Sequence, residues 1–190
     1  MIENMADSMR QQFLCRSPPD TELIVGVRDI LSAPTDAIVN PANSGLSHGG
    51  GLAAVIAQAA GESIEMECDE IIRKMGRVPK THAVLTMGGR LPCKYVIHAV
   101  GPRMGDGDEY GKLKTTIMNA MQLALDTNLT SVALPAISTG IYGVPKDLCA
   151  RAFMDAFDRF WRDAAHRTVK LVWLCVLLDD YPIFEKVMNC

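Results

Sequence analysis

The residues best suited to chemistry lie in the run Asn40-Pro41-Ala42-Asn43-Ser44-Gly45-Leu46-Ser47-His48-Gly49-Gly50-Gly51. An apolar, strand-like stretch at 36–39 leads into it, and a helix of small residues at 52–60 leaves it. Strand, glycine-rich loop and helix start, in that order, wrap backbone N–H groups around phosphate oxygens. Three consecutive glycines let the backbone approach a ligand with no Cβ in the way. Asn40 and Asn43 add neutral amide donors and acceptors at the rim. A second glycine loop, Ser138-Thr139-Gly140-Ile141-Tyr142-Gly143, also follows a buried strand-like run and precedes a helix. Two such loops fit a phosphate-bearing ligand gripped from opposite sides.

The elements that must position these loops show in the periodicity. Strand-like runs fall at 23–27, 37–39, 83–87, 95–100, 132–137 and 169–178. The run at 132–137 is continuously apolar, the mark of a strand buried on both faces. Ile64, Cys68, Ile71, Ile72 and Met75 recur at helical spacing, with Glu65, Asp69, Glu70, Arg73 and Lys74 opposite. Leu113, Ile117, Ala120, Met121 and Ala124 form a second stripe, and Ala152, Phe153, Ala156, Phe157 and Phe160 a third. Buried strands alternating with helices predict a three-layer α/β/α sandwich. His98 lies inside one apolar run and reads as a core histidine. The polar segment 103–109 reads as a mobile surface loop, without the ligand register of a calcium loop.

The 190 residues suit one domain with a substantial core. Residues 1–20 lack the apolar stretch of a signal peptide and read as a loose N-terminal extension, leaving 21–190 as the single domain. A net charge of −3 supplies no basic field, and no Arg/Lys cluster carries interleaved aromatics, so direct nucleic-acid binding is not expected. No apolar run approaches the roughly 20 residues of a membrane span. The six cysteines and four histidines form no zinc spacing, so no metal is expected. Cys68, Cys149 and Cys175 fall on apolar faces as buried thiols, which suits a reducing compartment. The Gly-x-Ser-x-Gly elbow of an α/β-hydrolase is absent, as is the glycine fingerprint of a dinucleotide-binding dehydrogenase.

Across residues 23–184 the chain resembles the macrodomains, α/β/α sandwiches around a mixed sheet that bind ADP-ribose. The match rests on the two glycine loops, on Val27-Arg28-Asp29-Ile30, and on the strand and exit Tyr95-Val96-Ile97-His98-Ala99-Val100-Gly101-Pro102. The loops look most like the first macrodomain of macrodomain-bearing poly-ADP-ribose polymerases, and coronaviral macrodomains resemble the same loop. Those relatives remove single ADP-ribose units from proteins.

The resemblance implies that Asp29 accepts a hydrogen bond from the adenine amino group, beside Ile30 and Leu177. It further implies that Asn40, Asn43, Gly49, Gly50, Gly51 and Leu52 line the distal ribose and diphosphate. Ser138, Thr139, Gly140, Ile141 and Tyr142 would bind the diphosphate and cap the cleft. Asn43, His48 and Gly50 would form the catalytic end, with Asn43 placing the attacking water. The implied activity is hydrolysis of mono-ADP-ribose from acidic side chains of modified proteins, without a cofactor, by a monomeric module of a larger protein in nucleus and cytoplasm. A non-catalytic reader, or a hydrolase of ADP-ribose derivatives or ADP-ribosylated nucleic acid ends, is the alternative. Two departures bear on the choice. Ala53 stands where one hydrolase branch has an aspartate, and Leu177-Leu178 replace an aromatic that stacks on adenine in some relatives.

Overall fold

The computed structural model describes residues 11–15, 18–162 and 168–189. Its strands are β1 (Gln12–Cys15), β2 (Glu22–Val27), β3 (Ala37–Ala42), β4 (Ala83–Met87), β5 (Tyr95–Val100), β6 (Ser131–Pro135) and β7 (Leu171–Val176). The helices are α1 (Gly51–Ala60), α2 (Glu62–Met75), α3 (Glu109–Asp126), α4 (Lys146–Arg162) and α5 (Tyr181–Met188). One mixed sheet runs β1-β2-β7-β6-β3-β5-β4. Its edge strands β1 and β4 are antiparallel to their neighbours, and the five strands between them are parallel.

Alternation along the central strands divides the apolar side chains between two cores. Val39, Ile97, Leu134 and Leu174 join Ile117, Met121, Phe153 and Phe184 on the face covered by α3, α4 and α5. Ile38, Val96, Ala133 and Trp173 join Ile56, Ile64 and Cys68 on the face covered by α1 and α2. The expected three-layer sandwich with a central mixed sheet is what forms.

Within the stretch read as a loose extension, Gln12–Cys15 pairs with Gly26–Leu23 as the edge strand β1. Cys15 is buried there and Phe13 packs edge-on against Tyr181. Four residues with only two inward-facing side chains carry too little pattern to read as a strand. Residues 1–10, 16 and 17 of that extension lie outside the described residues, as do His166 and Cys190. The other five cysteines are buried thiols outside any disulfide.

The topology makes one gap. From β3 the chain crosses the α1/α2 face toward β4 and β5; α3 then returns it along the other face to β6. Strand order therefore reverses between β3 and β6, the place where open α/β sheets form ligand crevices. Those two strands pair only at Ala37↔Val132 and Ile38↔Ala133, and their C-terminal halves part.

Candidate functional site: the cleft between the glycine loops

A cleft of about 670 Å³ opens at the C-terminal ends of the parallel strands. Arg28, Asp29 and Ile30 follow β2; Leu177 and Asp180 follow β7; Ser138 to Tyr142 follow β6. Asn43, Ser47 and Gly49 to Ala53 follow β3, and Gly101 and Arg103 follow β5. Two segments predicted from separate parts of the sequence thus face each other across the gap.

Their backbones are primed as donors. The N–H groups of Gly49 and Gly50, and those of Ser138, Gly140, Ile141 and Tyr142, have no acceptor among the described residues. The first turn of α1 adds the unsatisfied donors that every helix N-terminus carries. Ser138 strengthens this reading. It sits at a left-handed φ of 68°, and its Oγ is buried without a partner. A strained residue with an orphaned hydroxyl in a cleft persists where a ligand gives it a partner. Ile141 spans the gap: its Cδ1 lies 3.5 Å from where a Cβ on Gly50 would be and 3.3 Å from one on Gly51. Gly51 also has φ +59°, so a side chain there meets both strain and Ile141.

At the β2 end, Asp29 accepts the Leu31 N–H through Oδ1 at 3.0 Å, capping the short 3-10 turn Ile30–Ser32. Its second oxygen has no partner among the described residues. Beside it the Arg28 guanidinium stacks 4.5 Å from the Trp173 ring. At the exit of the neighbouring β7, Asp180 is buried and ion-paired with Lys146. Leu177 is 73% exposed, so it gives apolar cover from the rim rather than a closed pocket.

At the β3 end, Asn43 is committed to its own loop. Its Oδ1 accepts from the N–H of Gly45 at 3.0 Å and of Ser47 at 3.3 Å, while Nδ2 donates to the Ser47 carbonyl at 2.6 Å. Asn43 lines the cleft chiefly as the brace of the first glycine loop. Ala53 is buried at the same end, and among the described residues no carboxylate lines the cleft beside the glycines.

Two predicted contacts are displaced. Asn40 is fully buried on the α1/α2 side of β3 and does not line the cleft. Its Nδ2 donates to His98 Nδ1 at 3.0 Å, which leaves Nε2–H of His98 to donate to Thr86 Oγ1 at 2.9 Å. Burial, then the neighbouring His48, pushes His98 down to about 3, so it stays neutral. His98 is the core histidine its apolar run predicts. His48 also turns inward, its ring 6.0 Å from that of His98 and its Nε2 buried without a partner. Burial lowers its pKa while Glu65 and Asp69 oppose the shift. His48 therefore supports the glycine loop from below and is not a cleft residue. Period-2 alternation explains Asn40: two positions on from Ile38, it must share that residue's face.

Sequence reasoning missed Arg28, Arg103 and Asp180. Arg28 directly precedes Asp29 at a strand end, which was a usable signal; the other two become cleft residues only through loop geometry.

The Macro domain family model matches residues 39–153, which include both glycine loops. An uncharacterized protein of Saccharolobus solfataricus is 40% identical over 176 residues, covering 92% of this chain and 96% of that protein. A Citrobacter rodentium protein named O-acetyl-ADP-ribose deacetylase is 42% identical over 134 residues, 70% of this chain and 76% of its own length. Among solved structures, the Oceanobacillus iheyensis macrodomain with ADP aligns at TM-score 0.87 and 29% identity, covering 94% of this chain and 95% of that one. The Trypanosoma brucei macrodomain in complex with ADP-ribose aligns at TM-score 0.78 and 27% identity, covering 86% and 68%. With the parted sheet, the facing loops and these relatives in agreement along most of its length, the chain belongs to the macrodomain family.

Proposed function

We propose that the cleft binds ADP-ribose and that the domain hydrolyses the bond joining the distal ribose to an acidic side chain of a modified protein. The observation that carries the binding is the unpaired N–H groups of the two loops on either side of the cleft, together with the orphaned Ser138 hydroxyl of the second loop. They suit a diphosphate, whose charge they stabilise without a metal. Adenine fits the β2 end, where the free oxygen of Asp29 accepts from its amino group, a contact an oxo group at that position would forfeit. The Oceanobacillus and Trypanosoma structures hold ADP and ADP-ribose, which supports placing this ligand class here.

Hydrolysis is supported by the deacetylase-named relative, since removing an acyl group from ADP-ribose and cleaving an acidic-side-chain ester act on similar linkages. Among the described residues no carboxylate lines the cleft beside the first glycine loop. The water is positioned by that loop, which Asn43 braces, and takes its activation from a phosphate oxygen of the substrate. Positioning alone supplies much of such a rate. A pure reader is the second reading, favoured by Ala53. Incubating the domain with protein mono-ADP-ribosylated on glutamate separates the two. Release of free ADP-ribose above the no-enzyme rate is expected; retention without release establishes the reader. If calorimetry finds no heat with millimolar ADP-ribose, both readings fall.

A further inference from the structure

The order of the strands acts as a ruler along the cleft. Strands lie about 4.8 Å apart, so four steps from β2 to β5 put the exits of these strands at least roughly 19 Å apart, the parting of β6 and β3 adding to it. A nucleoside diphosphate sugar laid from Asp29 across the β6 and β3 loops has its distal ribose near β3. Whatever is attached to that ribose then meets the segment leaving β5.

That segment is acidic in sequence yet presents a cation. Asp106 accepts the Arg103 N–H at 2.8 Å and pairs with Lys80. Asp108 accepts the Gly111 N–H, and Glu109 accepts the N–H groups of Gly105 and Gly107 at 2.8 and 2.9 Å. All three carboxylates are thus engaged within the loop. The Met104 N–H bonds to the Tyr142 carbonyl at 2.8 Å, tying the segment to the second glycine loop. Arg103 is left exposed with its guanidinium 4.6 Å from the Tyr142 ring centroid, lining the cleft, with no carboxylate in ion-pair reach among the described residues. The ring holds the cation in place without neutralising it.

We infer that Arg103 is a specificity-determining residue that reads the group attached to the distal ribose, accepting a carbonyl-bearing acidic linkage and rejecting a cationic, guanidine-type one. This rests on the proposed binding of ADP-ribose in the cleft. A guanidinium offers paired N–H donors to a carbonyl or carboxylate oxygen, and it repels a second guanidinium brought to the same place.

The test uses binding, so it does not depend on turnover. Two peptides of one sequence carry ADP-ribose, one through a hydrolysis-resistant amide on a glutamate side chain and one through arginine. Their affinities are compared within each protein by fluorescence polarisation. The unsubstituted chain is expected to favour the amide-linked peptide by about tenfold, the size of one charge-assisted hydrogen bond discounted for exposure. Arg103→Glu is expected to erase or invert that ratio, and Arg103→Lys to keep its direction at smaller size. An unchanged ratio in Arg103→Glu overturns the role of Arg103 while leaving ADP-ribose binding intact. Failure of free ADP-ribose to bind the unsubstituted chain overturns the underlying reading, and this inference with it.

Discussion

Asp29 and Gly140 show how separately a single side chain can act on the ligand and on the fold. Asp29 has two jobs, one per oxygen: Oδ1 caps the Ile30–Ser32 turn and the other is free to meet adenine. Asp29→Asn keeps an oxygen for the Leu31 N–H while turning an amide donor toward the adenine amine. ADP-ribose affinity should then fall by about 1–3 kcal/mol with little change in melting temperature. Calorimetry alongside a thermal melt checks both halves; unchanged affinity would put adenine elsewhere. Gly140 is the cleaner case, because a Cβ there meets nothing within 4 Å and its φ lies outside the left-handed range. Gly140→Glu should therefore fold normally and lose ADP-ribose by about a hundredfold or more, since a carboxylate enters the phosphate path. A mutant that binds as before would show that the second loop does not face the phosphates. At this scale residue type was enough to place the glycines and Asp29 at the cleft. It misled where orientation decides: Asn40 and His48 lie in the right segment but point beneath it.

Elements were legible wherever apolar periodicity ran long enough, and this covered six of the seven strands and the stripes of α2, α3 and α4. The edge strand β1 was too short to show a period. The segment after β5 was read as mobile because it is polar and glycine-rich. The structure instead ties it down with its own carboxylates and with the bond from Met104 to Tyr142. Composition reports which groups are polar; it does not report that they satisfy one another. The contact between this segment and the second glycine loop is tight at Gly101, where a Cβ would come within 2.3 Å of Ser138 Oγ and 2.9 Å of Ile137 Cγ2. Gly101→Ala must displace the Ser138 hydroxyl and the Ile137 side chain at the root of the second loop. We expect a cost of about 1–3 kcal/mol in stability, as for other overpacked sites. ADP-ribose should bind more weakly too, although residue 101 offers the ligand no side chain. Denaturant melts and calorimetry of this variant would refute the coupling if stability dropped while affinity held.

The whole molecule should respond to acid through groups far from its net charge. His98 is held neutral at about 3, against an ordinary 6.5, because burial penalises its charged form and the neighbouring His48 lowers it further. The unfolded chain binds that proton near 6.5 and the folded chain does not. Stability is therefore full above that value and falls as pH drops toward 3, by up to about 1.4 kcal/mol per unit. His48 shifts in the same direction by burial and adds to the loss. Asp36 acts in a lower window. Burial pushes its carboxyl up, but the Thr130 hydroxyl and N–H, together with Lys94, outweigh this and hold it at about 2 against an ordinary 3.8. Its contribution is present above 3.8 and is lost between there and 2. Urea melts at pH 7.5, 6 and 4.5 isolate the histidine window. The parent should lose stability steadily across them. His98→Gln, which cannot titrate, should show a flatter dependence whatever its own stability. Equal stability of the parent at pH 7.5 and 4.5 would mean that His98 accepts a proton in the folded state, and the Asn40–His98–Thr86 chain would have to be drawn differently. Because His98 stays neutral in the folded chain over this range, the links it makes between β3, β5 and β4 stay intact, and ADP-ribose affinity of the folded domain should hold while the melts fall.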